Sequence, residues 1–257
     1  MDLGLADKVF LVTAASSGLG LASARQLVAE GARVVLVARR EEALAEVATE
    51  LNGDAPEDAP RVVPMAGDLL EADTVTEAIT RALEVFGQVD GALVSVGGPP
   101  AGHVLENTDE QWTTAFSSVF LPALRVARAV YAQNPRARLA LVLSTSTRVP
   151  LPGMAISNGL RPGLGMLVKQ LADEVGPDGG RVVGLMPGSI ATGRMTYLFE
   201  QASDPKAARE LVESQVPLRR MGEPDEFGRV ATFLLSDAAG YMSGCVVPVD
   251  GGAMRTV

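Results

Sequence analysis

The sequence has one cysteine, Cys245, and one histidine, His103, among 257 residues. A lone thiol cannot close an internal disulfide, so packing must hold the fold, and a reducing, cytoplasmic setting is expected. One His and one Cys leave no His/Cys metal centre. Basic blocks are missing too. The net charge is −9 with no Lys/Arg cluster, so the electrostatic footprint of a nucleic-acid binder is absent. No apolar run is long enough to cross a bilayer, and the first eight residues lack the basic and apolar regions of a signal peptide. There is no internal repeat, no Gly-x-Ser-x-Gly elbow and no Gly-Lys phosphate loop.

The chain is 47% apolar, enough for one large core spanning residues 1–257. Short apolar runs predict strands at 9–13, 33–37, 61–64, 91–94, 138–143, 181–185 and 245–249. Each is almost uniformly apolar instead of alternating, as strands covered on both faces are. Helical spacing fills the gaps, for example at 19–30, 41–51 and 70–86, with Leu21, Ala24, Leu27 and Val28 on one face of the first. Residues 52–60 are acidic and Pro-rich and are expected to form a surface loop. Such alternation predicts an α/β fold: a single-domain, doubly wound parallel sheet of about seven strands with right-handed crossovers.

The first predicted strand runs into Thr13-Ala14-Ala15-Ser16-Ser17-Gly18-Leu19-Gly20 and then into a helix. Gly18 and Gly20 let the backbone approach a pyrophosphate, and the helix N-terminus offers free N–H groups with partial positive charge. The second strand ends Val37-Ala38-Arg39-Arg40. A carboxylate at that end would accept from an adenosine 2′-hydroxyl and favour NAD. Arg39 can instead form charge-assisted bonds to a 2′-phosphate, which points to NADP(H) over NAD(H); the competing explanation is a solvated residue at the helix entry.

The glycine loop resembles the Thr-Gly-x-x-x-Gly-x-Gly loop of the short-chain dehydrogenase/reductase family, with Ala14 in place of the first Gly. Gly67-Asp68-Leu69 is similar to that family's adenine-contacting segment. Pro187-Gly188-Ser189-Ile190-Ala191-Thr192 is similar to its Pro-Gly-x-(Ile/Val)-x-Thr motif beside the nicotinamide. The stretches Pro217-Leu218-Arg219-Arg220-Met221-Gly222-Glu223-Pro224 and Val249-Asp250-Gly251-Gly252 resemble the 3-oxoacyl-[acyl-carrier-protein] reductase branch. The resemblance implies a Rossmann-type sheet and a cofactor held by Thr13, Ala15, Ser16, Ser17, Gly18, Leu19, Gly20, Arg39, Asp68, Leu69, Gly97, Pro187, Gly188, Ile190 and Thr192. It also implies a substrate lid over residues 193–216 and a homotetramer or homodimer, with the apolar stretch 123–130 as a candidate interface.

That family uses a Ser, a Tyr, a Lys four residues after the Tyr, and an Asn. Carried over by spacing, the Ser is Ser144, with Thr145 and Ser146 as neighbouring alternatives. The Tyr position holds Ser157, the Lys position Arg161 and the Asn position Val119. The family's Asn-Asn-Ala-Gly reads Ser95-Val96-Gly97-Gly98. None of Tyr131, Tyr197 and Tyr241 has a Lys four residues on, and the other lysines are Lys8, Lys206 and Lys169, the last expected on a solvated helix face. Ser157 and Arg161 share a helix face, with Pro162 expected in that helix's first turn. Arg161 keeps its charge near neutrality and has five donors, which suits a ribose or a substrate carboxylate or phosphate. A Ser hydroxyl is a poor acid, and losing a positioned general acid forfeits a factor of about 10²–10⁴. His103, beyond the fourth strand, is a candidate proton donor, set against a solvated surface residue. Two functions follow: an NADP(H)-dependent reductase of a carbonyl or conjugated carbonyl substrate using Ser144, Ser157, Arg161 and His103, or a homologue that binds dinucleotide or a partner without hydride transfer.

Overall fold

In the computed structural model, which describes residues 1–256, all seven expected strands form one parallel sheet. They are β1 (Val9–Thr13), β2 (Arg33–Ala38), β3 (Val62–Ala66), β4 (Gly91–Val94), β5 (Arg138–Val142), β6 (Arg181–Pro187) and β7 (Cys245–Val249), in the spatial order 3-2-1-4-5-6-7. Alternate residues supply two cores. Val9, Leu11, Val35, Val37, Ala92, Val94, Leu139 and Leu141 face one side; Phe10, Val12, Val34, Leu36, Leu93, Ala140 and Val142 face the other.

Helices α3 (Asp73–Phe86), α5 (Leu121–Gln133) and α6 (Ala155–Val175) cover the first side. Helices α1 (Gly18–Ala29), α2 (Glu41–Asn52) and α9 (Pro224–Leu235) cover the second. Short α4 (Asp109–Ala115) joins α5 through a π-helical turn, Phe116–Phe120, and the expected lid splits into α7 (Gly193–Glu200) and α8 (Pro205–Gln215). No helix among the described residues is long and apolar enough to cross a membrane.

Several boundaries differ from the sequence expectations, each for a local reason. The third helix begins at Asp73 rather than at residue 70. Asp68 draws the chain into a turn first, its carboxylate accepting from the Leu70 amide and its carbonyl from the Glu71 amide and the Thr74 hydroxyl. Strand β3 starts and ends later than 61–64 because it follows β2 as far as the Ala38–Ala66 pair. The Asn52 side chain ties the end of α2 to that strand, bonding the Arg61 and Val62 amides and the Val62 carbonyl. Pro162 lies inside α6, not in its first turn. In the stretch 123–130, Ala123, Val126, Ala127 and Val130 point into the core, while Leu124, Arg125, Arg128 and Ala129 keep some exposed surface.

Strand order reverses between β1 and β4, and there the two strand ends part. One buried side chain closes the gap. The Thr13 hydroxyl donates to the Ser95 carbonyl at 2.5 Å and accepts from the Ser95 amide at 2.9 Å. Thr13→Val keeps the shape and removes both bonds, leaving two buried backbone groups unpaired. It is expected to cost about 1–3 kcal/mol of unfolding free energy, measured by urea denaturation; a loss within error would show the staple to be dispensable.

Candidate active site

The glycine loop opens at that switch point, where ligands bind in such sheets. Gly18 starts α1 with φ +58°, a conformation that disfavours a side chain. A Cβ on Gly20 would lie 2.5 Å from the Ala14 carbonyl oxygen, so only glycine lets the loop close on itself. Ala14 sits at φ +50° where the family pattern has Gly, a left-handed turn that its methyl makes strained. Thr192, the N-cap of α7, faces Gly18 across the loop, its methyl 3.7 Å from a Cβ built there.

A cleft of about 640 Å³ runs along this edge between Ser16, Ser17, Arg39, Arg40, Asp68, Leu69, Gly97 and Gly98. A larger cleft of about 820 Å³, lined by Asp7, Arg33, Asn52 and Phe86, lies at the opposite edge, away from the glycine loop. The structure therefore gathers Ser16, Ser17, Arg39, Asp68, Leu69 and Gly97 around one cavity, as the sequence suggests. Other expected contacts turn inward. Thr13 and Ala15 are buried, with the Thr13 hydroxyl engaged by Ser95 and the Ala15 amide by the Val37 carbonyl. Ile190 is buried against Gly222, and the Gly188 amide bonds the Val249 carbonyl. Arg40 was missed by the sequence reasoning, although its adjacency to Arg39 is a signal. Neither arginine has a carboxylate partner among the described residues. The free glycine-loop turn, the open helix N-terminus and two unpaired guanidiniums fit a phosphorylated dinucleotide.

At the other end of the edge, Ser144 caps the turn Thr145–Thr147 and stays partly exposed. Its oxygen accepts from the Ser146 amide at 3.2 Å, which leaves its own proton free to donate. Ser157 differs from expectation. It is 3% exposed, and its hydroxyl lies 2.9 Å from that of buried Ser146 instead of facing the cleft. Sharing a helix face with Arg161 thus aims this residue at the β5–α6 turn. Val119, at the Asn position, is buried within the π-helical turn. His103 is exposed, and its imidazole has no hydrogen bond to Ser144, Ser157 or Arg161. Lys169 is solvated and pairs with Asp173, as expected.

Arg161 is 5% exposed. Its Nη1 donates to the Val142 carbonyl at 2.7 Å, at the carboxyl end of β5. Its Nε is buried without a partner, and no carboxylate pairs with it among the described residues. Burial, helped by the nearby charge of Arg194, pushes its pKa down to about 10, still charged near neutrality.

The family model described as enoyl-(acyl carrier protein) reductase matches residues 13–254. An uncharacterised oxidoreductase of Mycobacterium tuberculosis is 32% identical, over 98% of this chain and 94% of its own length. The L-sorbose reductase of Gluconobacter frateurii, solved with NADPH and L-sorbose, is 30% identical with a TM-score of 0.92, covering 100% of both chains. A short-chain oxidoreductase of Pseudomonas aeruginosa, described as containing an atypical catalytic centre, is 28% identical with a TM-score of 0.91, over 99% of this chain and 100% of its own.

A buried charge without a counter-charge weakens the fold. Arg161→Met fills similar volume without the charge, at the loss of one bond to Val142. We expect it to raise stability by about 1–2 kcal/mol, seen as a higher melting temperature. A lower one would mean that the guanidinium stabilises the free protein.

Proposed function

The chain belongs to the short-chain dehydrogenase/reductase family, and on that footing we propose that it is an NADP(H)-dependent reductase of carbonyl or conjugated carbonyl compounds that works without a Tyr–Lys pair. The observation that carries this reading is the Arg161 guanidinium, a buried cation with an unpartnered Nε, held at the carboxyl end of β5. It fits a ligand that brings its own acceptors.

Each end of the cleft has a task. The loop amides at Ser16–Gly18, with Thr192 opposite, would hold the pyrophosphate. Arg39 and Arg40 would take a 2′-phosphate, Asp68 and Leu69 the adenine, and Arg161 the nicotinamide ribose or an anionic group of the substrate. The NADPH bound to the sorbose reductase supports the choice of dinucleotide. Once bound, the nicotinamide supplies a hydride. Ser144 then donates its free proton to the substrate oxygen as a hydrogen bond, and the fixed charge of Arg161 favours the negative charge that develops there. Ser157 is turned away toward Ser146, so in this reading the proton comes from water, His103 or the substrate itself. Conjugate reduction suits this arrangement best, because an enolate tolerates slow protonation better than an alkoxide. The second reading, a homologue that binds without hydride transfer, draws on the same inward turn of Ser157 and on Val119.

The direct test is NADPH oxidation over a broad panel of ketones and enones. Turnover that falls at least tenfold in Ser144→Ala and in Arg161→Ala supports the reductase; no turnover by folded, NADPH-binding protein leaves the binding homologue. Cofactor choice is tested separately. Arg39→Ala is expected to weaken NADPH binding about 10–100-fold and NADH binding little, measured by nicotinamide fluorescence; equal losses would remove Arg39 from the 2′-phosphate.

A further inference from the structure

We propose that Arg194 joins Arg161 in a receptor for an anionic group on the substrate, which makes the substrate an oxo or unsaturated acid and not a neutral ketone. The reaction class rests on the reductase reading; the anion site itself does not.

Arg194 is the second residue of α7, the first lid helix. Its side chain crosses from the lid to the loop after β4. There its guanidinium lies against Gly98, where a Cβ would collide with it, and Nη2 donates to the Pro99 carbonyl at 3.5 Å. Arg161 is anchored one strand away, on the Val142 carbonyl at the end of β5. Strands β4 and β5 are neighbours, with Val94 paired to Leu141. Two guanidiniums from distant parts of the chain therefore occupy one corner of the carboxyl edge.

Neither has a carboxylate partner among the described residues, in a chain of net charge −9. Arg25 pairs with Glu50 and Arg220 with Glu226, both at the surface, whereas Arg161 is 5% exposed and has no such partner among the described residues. Arg161 is the buried cation of this corner, and Arg194 stands beside it as an exposed one. Burial first, and the neighbouring charge of Arg194 second, lower the Arg161 pKa. Like charges so placed are unfavourable until an anion arrives, and a carboxylate can accept from both forks.

The cofactor's own charges have other receptors. Arg39 and Arg40 stand at the far end of the cleft, and the glycine loop faces Thr192. The surplus charge lies toward Ser144, where the substrate oxygen is expected. A lid residue in this role would couple anion binding to closure over the site.

The test uses the intact protein saturated with NADP⁺ and calorimetric titration with pyruvate, acetoacetate and levulinate, each against its methyl ester. At least one oxo acid is expected to bind tenfold or more tightly than its ester. Arg194→Gln should erase that preference, Arg194→Lys should restore part of it, and NADP⁺ affinity should change less than about twofold. Equal binding of acids and esters, or no acid binding up to about 50 mM, overturns the proposal. A tenfold loss of NADP⁺ affinity in Arg194→Gln also overturns it, by assigning the guanidinium to a cofactor phosphate. Acid preference without turnover on any carbonyl would defeat the reductase reading and leave the anion site standing. Turnover of neutral ketones without acid preference would do the reverse.

Discussion

Helices bury both faces of the parallel sheet, so polar chemistry has one place to go: the carboxyl edge, where the strands release the chain. The proposed site follows from that constraint. The glycine loop leaves β1 there, Arg39 and Arg40 leave β2, and Ser144 follows β5. The Thr13–Ser95 bonds fasten the two strands that part at the switch point. Without them the cleft would have no fixed floor.

The same edge explains the cost carried at the reacting end. A tyrosine hydroxyl reaching into the cleft is replaced by Ser157, short enough to fold back onto Ser146. The position four residues on keeps a cation, now a guanidinium that retains its charge despite deep burial. The site thus has no ionisable acid at position 157 and keeps a positive charge at Arg161. That combination suits the proposed reductase, in which negative charge is stabilised before a proton arrives.

Much of this was legible in the chain. Uniformly apolar runs gave seven strands, because strands covered on both sides leave no polar positions to confuse the pattern. Spacing located Ser144, Ser157 and Arg161 on the correct elements, since i and i+4 on one helix are fixed by its geometry. What periodicity could not supply was direction. Whether Ser157 faces the cleft or Ser146 depends on the β5–α6 turn. The meeting of Arg194 with Gly98 joins residues far apart in sequence. Pro162 was placed by its tolerance for first turns, but α6 begins earlier, at Ala155, and keeps the proline inside. The stretch 123–130 divides its apolar side chains, Ala123, Val126, Ala127 and Val130 to the core and Leu124 and Ala129 partly to the surface.

The account stands on hydride transfer without the Tyr–Lys pair, and the most direct measurement follows the hydride itself. NADPH carrying deuterium at the nicotinamide C4 is incubated with the protein and a carbonyl or enone substrate, and the product is analysed by mass spectrometry. The expected result is one deuterium at the reduced carbon, from one face of the nicotinamide only, and none with Arg161→Ala. Undeuterated substrate recovered from folded protein that binds NADPH would contradict it.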